Sequence, residues 1–279
     1  IDVVPGTNGM QPSLAITYNS LSGGNHMGFH WGLQGISSIT RCQQTEYFDG
    51  DIRQLGLNTD DRFSLDGKRM VLLNGMRYHS PNALYAFEID DLSKIQRVTE
   101  TDNSFYFVDT LANGQIIEFG ATQDSRQYVD GKVLSWMMNK ITDANGNYIK
   151  YYYGHNDGDI YIERIDYTFN PSASLTTAYA SIIFNYRTAL NQNELYVASG
   201  SIKQNRLLES ITVSYIGNQV HKYVFTYNEE WHTARLIKIS LLDDNDNEIS
   251  YTNVKWEDIP EMTTNDGLSF LPNGFTLVV

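Results

Sequence analysis

One stretch decides the fold class: Met138-Asn139-Lys140-Ile141-Thr142-Asp143-Ala144-Asn145-Gly146-Asn147-Tyr148-Ile149-Lys150-Tyr151-Tyr152-Tyr153. An Asn-Gly pair between two apolar runs is the strongest short-range hairpin signal, because both residues tolerate the positive φ of a tight turn. The flanking isoleucines and tyrosines favour strands. The stretch therefore predicts a strand, a turn at 143–147 and a second strand.

The same pattern recurs at irregular spacing through the second half of the chain. Alternating apolar residues flank polar turns in residues 160–186, 211–227 and 237–251. The only helix candidates, residues 84–98 and 188–198, do not sustain an i, i+3, i+4 stripe beyond two turns. We therefore predict an all-β chain, an antiparallel hairpin meander with little helix and without a strict repeat period.

Turn and strand signals also organise the first forty residues. Pro5-Gly6 and Asn8-Gly9 predict turns, and the alternation from Leu14 to Tyr18 predicts a strand. A glycine-rich corner follows at residues 28–35. Within it we expect Trp31 to be a packing anchor, since tryptophan mostly serves that purpose.

Length and composition permit one large or two modest domains. With 279 residues the chain can bury a sizeable core without disulfides, and its one cysteine, Cys42, predicts a structural thiol. The sequence contains neither an apolar run of about 20 residues nor a basic-then-apolar leader. Because Ile1 opens directly onto a motif, we expect a piece of a longer protein, so the missing leader does not exclude export. Residues 270–279 predict a strand that leads onward.

The charge balance argues against nucleic acid as a partner. Lys and Arg number 20 against 33 Asp and Glu, a net charge of −13, and such a surface repels phosphate backbones. The acidic run at residues 243–248 raises the question of a cation site. It lacks the glycine and the distant glutamate of a calcium-binding EF-hand loop. A solvated hairpin turn is the favoured interpretation, and cation binding there stays open.

The sequence lacks a constellation of catalytic motifs. The six histidines lack metal-ligand spacing, and no G-x-S-x-G elbow, phosphate loop or dinucleotide fingerprint is present. The acidic pairs Asp60-Asp61 and Asp90-Asp91 do not suit glycoside hydrolysis, because adjacent strand residues point to opposite faces. The sequence predicts a protein that is not an enzyme, without catalytic residues, metal or cofactor. It identifies no binding residues.

Four motifs resemble the SpvB-type domain, the N-terminal part of RHS-repeat toxin proteins and of the B component of insecticidal toxin complexes. They occupy Pro5 to Ser20, Gly28 to Arg41, Asp61 to Val71 and Phe107 to Gly120. His30 departs from the family, which more often has glycine before the tryptophan. The ADP-ribosyltransferase activity associated with the family name belongs to a separate C-terminal domain, whose motifs do not occur here.

The resemblance implies a fold, a role and partners. It implies a curved, shell-like sheet with a signature region at 1–135 and an RHS-like hairpin region at 136–279, continuous as one structural unit. It further implies a non-catalytic structural domain of a bacterial virulence protein, helping to enclose and deliver a C-terminal toxin. The implied partners are the remainder of its own chain or a companion shell subunit, and the toxin cargo, with no nucleic acid and no membrane span. The implied location is secreted or at the cell surface.

A second interpretation is a cell-surface or secreted module that binds glycan or protein. The chain has 19 tyrosines, and Tyr151-Tyr152-Tyr153 places aromatic rings on both faces of one strand. Aromatic rings of this kind can stack on sugars. The first candidates for stacking are the four tryptophans, Trp31, Trp136, Trp231 and Trp256. An exposed tryptophan cluster on a closed sandwich would favour this binder, whereas an open curved sheet would favour the shell.

Overall fold

A computed structural model describes residues 1–73, 77–89, 91–229 and 233–256, and the backbone of 275–278. The first 131 residues contain short strands: β1 (Ala15–Tyr18), β2 (Gly24–Asn25), β3 (Gly28–Phe29), β4 (Trp31–Gln34), β5 (Ser38–Cys42), β6 (Arg62–Leu65), β7 (Lys68–Arg69), β8 (Val71–Leu72), β9 (Leu84–Ala86), β10 (Lys94–Thr99), β11 (Phe105–Thr110), β12 (Ile116–Phe119) and β13 (Arg126–Val129).

The strands that follow are mostly much longer. They are β14 (Lys132–Thr142), β15 (Tyr148–Asn156), β16 (Asp159–Phe169), β17 (Ala180–Val197), β18 (Gly200–Tyr215), β19 (Asn218–Asn228), β20 (Arg235–Leu242), β21 (Glu248–Trp256) and β22 (Phe275–Val278). Helix in the described residues amounts to α1 (Glu46–Asp49) and three single 3₁₀ turns, Thr7–Gly9, Gln123–Ser125 and Pro171–Ala173.

The predicted all-β meander is confirmed. From β14 to β22 each strand pairs antiparallel with the next strand in sequence. The two helix candidates contain strands instead, β9 and β10 in residues 84–98 and the outer part of β17 in 188–198. In the C-terminal segment the predicted strand is present at Phe275–Val278, and residues 270–274 and 279 lie outside the described part.

One turn geometry joins several of the hairpins. In residues 143–147 the first N–H donates to the fifth carbonyl at 2.9 Å, and the fourth N–H donates to the first carbonyl at 3.1 Å. The same two bonds close residues 100–104, 111–115 and 243–247. The fourth residue has positive φ in every case: Asn103, Gly114, Gly146 and Asp246. This conformation is why Asn-Gly marks the turn so clearly in the sequence.

β14 is the branching strand of the molecule. Its last residues pair with β12 and β15, its middle pairs with β5, and its first half pairs with β13. One branch continues from β5 through β6 to β7, and the other from β12 through β11, β10 and β9 to β8. Only Met70 separates β7 from β8, so the two branches enclose a common core.

Aromatic side chains fill that core. Phe63, Tyr85, Phe107 and Trp136 are each 0% exposed. Phe63 and Phe107 meet the Trp136 ring edge to face, with centroids 5.5 and 5.2 Å apart, a favourable geometry for aromatic pairs. The Trp136 indole N–H donates to the Phe105 carbonyl at 2.9 Å, which satisfies its only polar group. Within the described residues, no helix is long and apolar enough to span a bilayer.

Candidate functional site

The residues directly before the first family motif lie on the buried face of the C-terminal sheet, where tyrosines bind their backbone. The Tyr167 hydroxyl donates to the Val4 carbonyl at 2.9 Å. The Asp2 N–H donates to the Tyr223 hydroxyl at 2.9 Å. Burial raises the pKa of Tyr167 to about 12, so its hydroxyl stays a donor at neutral pH. Tyrosine suits this position because its ring packs in the core while its hydroxyl reaches a buried backbone group.

The second motif joins the same sheet by direct backbone contact. The Phe29 N–H donates to the Ala234 carbonyl at 2.8 Å, and the Leu208 N–H donates to the His26 carbonyl at 2.6 Å. Gly28 has φ +83°, and a Cβ there would lie 2.4 Å from the Ala234 oxygen. Only glycine fits that approach. The motif thus joins the N-terminal segment to the hairpin sheet.

His30 explains why the family favours glycine at this position. Its φ is +67°, in the left-handed region where a side chain is strained and glycine is not. The imidazole is buried, with Nδ1 2.6 Å from the Ser22 carbonyl oxygen. The histidine therefore combines a strained backbone with a buried ring.

The fourth motif ends where Trp136 packs. A Cβ on Gly120 would lie 2.2 Å from the indole, and Gly120 has φ +72°. The glycine therefore allows the largest buried ring of the core to lie against the backbone. The sequence identified this motif only by its likeness to the family, and the packing supplies the physical reason.

The opposite face of the C-terminal sheet carries mostly half-buried and exposed side chains, with Ser210, Ser214 and Ser240 buried among their larger neighbours. We call it the open face and define it by the rows that the strand register places side by side. Two rows cross the sheet: Tyr152, Arg164, Ile183, Thr212 and Lys222, and Lys150, Asp166, Ser181 and Ser214. A third row is Asn185, Ser210, Val224, Ser240 and Tyr251. Small hydroxyl residues dominate the middle of this face.

The cations of the open face already have partners in the chain. Arg164 pairs with Asp166 at 3.2 Å and lies 4.4 Å from the Tyr152 ring centre. Lys150 lies 5.6 Å from the ring centre of Tyr148. Lys222 and Lys238 contact carboxylates of the acidic turn region, Asp246 at 3.7 Å and Glu248 at 2.6 Å. The open face is therefore close to neutral although the chain as a whole is acidic.

Several titratable side chains form pairs in the described residues. His26 Nε2 lies 2.7 Å from an Asp159 carboxylate oxygen, a pair that the sequence did not predict because 133 residues separate them. Burial lowers the pKa of His79, whose Nε2 contacts the Asp61 carbonyl at 2.7 Å. No group of three His, Cys, Asp or Glu residues in the described ranges converges as a metal site would require. His232 lies outside those ranges.

Of the two acidic pairs, Asp60-Asp61 lies wholly within the described residues. The Asp61 side chain is 1% exposed and that of Asp60 is 54% exposed, so they face different environments. Asp90 lies outside the described residues, which leaves the second pair without a structural account. A cleft of about 630 Å³ beside α1 is lined by acids and arginines that bond one another, Arg62 with Asp49 and Arg53 with Asp51, both at 2.8 Å.

The tryptophans do not form an exposed cluster among the described residues. Trp31 is 6% exposed and Trp136 is 0% exposed. Trp256 is partly buried and donates its indole N–H to the Leu236 carbonyl at 2.8 Å. Trp231 lies outside the described residues. The predicted packing role of Trp31 agrees with its burial.

The carboxylate of the first residue in the acidic turn, Asp243, accepts hydrogen bonds from the backbone of the same turn. Asp243 accepts from the N–H groups of Asn245 at 2.9 Å and Asn247 at 2.8 Å. Asp143 accepts from Asn145 and Asn147 in the same way, each at 2.8 Å. Both backbone bonds go to the Oδ1 oxygen, so that oxygen is engaged in closing the turn. The hydrogen bonds therefore agree with the hairpin-turn interpretation of 243–248.

These features define the class of the protein: an all-β hairpin sheet whose N-terminal motifs fold back onto one of its faces. The chain belongs to the SpvB family, since the family model described as Salmonella virulence plasmid 65kDa B protein matches residues 1–236. The match extends well past the roughly 150 residues that the motifs cover. No curated protein sequence matches the chain.

Solved structures share the fold at low sequence identity. The N-terminal domain of effector protein SpvB from Salmonella typhimurium strain LT2 aligns with a TM-score of 0.70 and 15% identity, over 83% of this chain and 94% of that chain. The TcdB2-TccC3 structure aligns with a TM-score of 0.74 and 13% identity, over 92% of this chain but only 16% of that chain. The Photorhabdus luminescens Tc holotoxin pore aligns with a TM-score of 0.73 and 13% identity, over 88% of this chain and 15% of that chain.

Proposed function

We propose that this domain is a non-catalytic part of the wall of a β-sheet shell that encloses a C-terminal toxin and helps to deliver it. The same fold occurs in the TcdB2-TccC3 structure, where the aligned region is 16% of a chain about six times longer than this one. A domain that makes up a small part of a large assembly is suited to a structural role. The meander supports this, because every added hairpin extends the same sheet.

The observation that carries the proposal is the contrast between the two faces of the sheet. One face is covered by the N-terminal segment, through contacts such as Tyr167 to Val4 and Phe29 to Ala234. The other, the open face, carries rows of serine and threonine and internally paired charges, and in its three rows Ile183 and Tyr251 are exposed. Because its charges are already paired, this face offers an unfolded passenger few charged groups to bind, so it contains the passenger without retaining it.

The side-chain geometry supports the non-catalytic part of the proposal. In the described residues no three His, Cys, Asp or Glu side chains converge as a metal site would require, and His26 with Asp159 is a pair. The glycan-binding alternative is weaker because Trp31 and Trp136 are buried and Trp256 donates to the backbone. No observation favours it over the shell.

The proposed partners are the rest of the parent chain or a companion shell subunit, and the enclosed toxin. The proposed location is secreted or at the cell surface, where such a shell would act. The division into a signature region at 1–135 and a hairpin region at 136–279 remains a prediction. β14 spans that boundary and pairs with strands on both sides of it, so we propose that the two regions form one unit.

Electron microscopy of the full-length parent protein tests this proposal. We expect a closed hollow particle whose wall contains this domain, with the open face and the covered face on opposite sides of the wall. An extended particle without an internal space would contradict the shell role. A domain projecting from the particle on a linker would instead favour the surface-binding module.

A further inference from the structure

Two neighbouring loops expose large apolar side chains among acids. We call them the acidic-apolar loops and define them as residues 46–52, 88–89 and 91–92. Tyr47 is 76% exposed, Ile52 69%, Ile89 87% and Leu92 68%. The same residues include five carboxylates and no lysine or arginine, although Asp49 is buried against two arginines and Asp51 pairs with the adjacent Arg53. The Tyr47 hydroxyl donates to the Glu88 carboxylate, which holds the two loops side by side.

The first loop, residues 46–52, is fixed by buried ion pairs between Asp49 and two arginines of the neighbouring strands. The Asp49 side chain, 7% exposed, accepts from Arg62 at 2.8 Å and from Arg69 at 2.6 Å. These bonds lower the pKa of Asp49, in opposition to its burial, and the Thr45 N–H donates to the same carboxylate at 3.0 Å. α1 is thereby fixed with Tyr47 pointing to solvent. A pre-ordered apolar group loses little entropy when it binds a partner.

The second loop carries a strained residue. Leu92 has φ +64°, a left-handed conformation that is strained for a branched apolar residue. The Ser93 N–H donates to the Asp91 carboxylate at 3.1 Å and supports this bend. The bend accompanies the 68% exposure of the Leu92 side chain.

The charges around the apolar groups define the partner. Glu46 and Glu88 form no ion pair with a lysine or arginine in the described part of the chain, whereas Asp91 lies near enough to Lys68 for that cation to help lower its pKa, after its bonds with Ser93. Unpaired carboxylates repel nucleic acid and anionic lipid headgroups. They attract a surface on which lysine and arginine surround an apolar patch.

We propose that the acidic-apolar loops are a docking surface for a folded companion subunit that presents an apolar patch ringed by lysine and arginine. This inference rests on the proposed function, because a shell wall needs specific joints to its neighbours. The pre-ordered first loop fits a folded partner rather than an unfolded passenger, which would not require a fixed shape.

Site-specific photo-crosslinking in the full-length parent protein, produced in its native host, tests the inference. The photoreactive residue p-benzoylphenylalanine replaces Ile89, and in a parallel experiment it replaces Tyr251 on the open face. The joined peptides are identified by mass spectrometry. The Ile89 experiment is repeated with Glu46→Lys and Glu88→Lys, and with the matched exposed pair Glu194→Lys and Glu209→Lys on the β17–β18 hairpin. Thermal unfolding checks that each variant folds.

We expect position 89 to join a folded subunit at an apolar site beside lysine or arginine. The Glu46 and Glu88 reversals should lower that yield by about tenfold or more, and the Glu194 and Glu209 reversals should not. A crosslink from position 89 to an acidic or unfolded segment, to nucleic acid or to lipid would overturn the inference. An unchanged crosslinking yield in the Glu46→Lys and Glu88→Lys variants would also overturn it. Joining from Tyr251 but not from position 89 would leave the shell role standing and reject this surface. A hollow shell that gives no crosslinked product from position 89 would likewise support the shell role and reject this surface.

Discussion

The guanidinium of Arg41 lies 3.3 Å from the carboxylate of Asp61, and their side chains are 10% and 1% exposed. Arg41 ends the second family motif and Asp61 begins the third, so two motifs meet in one buried ion pair. Asp61 also accepts from the N–H groups of Gly56 at 2.9 Å and Asn58 at 2.8 Å. Burial lowers the pKa of Arg41, which the nearby Asp61 partly offsets. The pair therefore fixes the 56–61 loop against β5.

Replacing one member of this pair should destabilise the fold strongly. We expect Arg41→Met to lower the free energy of unfolding by about 3 to 5 kcal/mol, because Asp61 is left buried without its cation. Denaturant unfolding measures the change. The matched control is Arg53→Met, since Arg53 and its partner Asp51 are each 53% exposed and such pairs contribute about 1 kcal/mol or less. Equal losses in the two variants would show that the Arg41 pair is no more important than a surface pair.

Substitution of Gly28 should open the seam between the N-terminal segment and the hairpin sheet. Gly28→Ala adds a Cβ 2.4 Å from the Ala234 oxygen at φ +83°. We expect a loss of about 2 to 4 kcal/mol from the clash and the backbone strain together. Gly23→Ala is the control, because nothing lies within 4 Å of a Cβ there. Calorimetry of both variants tests this, and a Gly28→Ala variant as stable as Gly23→Ala would refute the close approach.

Asp109 should make stability fall as pH rises from about 4 to about 6. Its side chain is buried between Ile95 and Ile117, and Oδ1 has no hydrogen-bond partner among the described residues. Burial first, and the nearby Asp91 second, raise its pKa to about 6. The folded state therefore holds a proton that the unfolded state releases near pH 4, and this stabilisation, about 1 to 3 kcal/mol, is lost as pH rises through 6.

The Asp109→Asn variant isolates this effect. It should flatten the decline in unfolding free energy between pH 4 and 6, because its amide does not titrate. Asp102→Asn serves as the control, since hydrogen bonds from Ser104 lower the pKa of Asp102 and its titration lies outside that window. Urea titrations at several pH values measure the slope. A slope that survives in Asp109→Asn would assign the pH dependence to another group.

The acidic turn should act as a turn and not as a cation site. Asp243→Ala removes the acceptor for two N–H groups and should cost about 1 kcal/mol, as Asp143→Ala should in the equivalent turn. Millimolar calcium should leave the melting temperature of the unmodified chain unchanged. Asp244→Ala, which removes a neighbouring acid that accepts only from the Asn245 side chain, controls for charge. A calcium-dependent rise in melting temperature that Asp243→Ala abolishes would reverse this interpretation.

Local sequence signals predicted much of the fold. The Asn145-Gly146 turn, the hairpins that follow it and the near absence of helix all depend on neighbouring residues, and the family likeness depends on short motifs. The arrangement of those motifs depends on distant partners and was not predicted. Val4 meets Tyr167 across 163 positions, and Arg41 meets Asp61 only because β5 pairs with β6. The branching of β14 and the His26–Asp159 pair were missed for the same reason.

The most direct test of the shell role is the protease sensitivity of the C-terminal passenger in the full-length parent protein. We predict that native parent protein protects its passenger from added protease. Gly28→Val should expose the passenger by opening the seam, and Gly23→Val should not. A passenger cleaved as fast in the native protein as after unfolding would contradict enclosure by this wall.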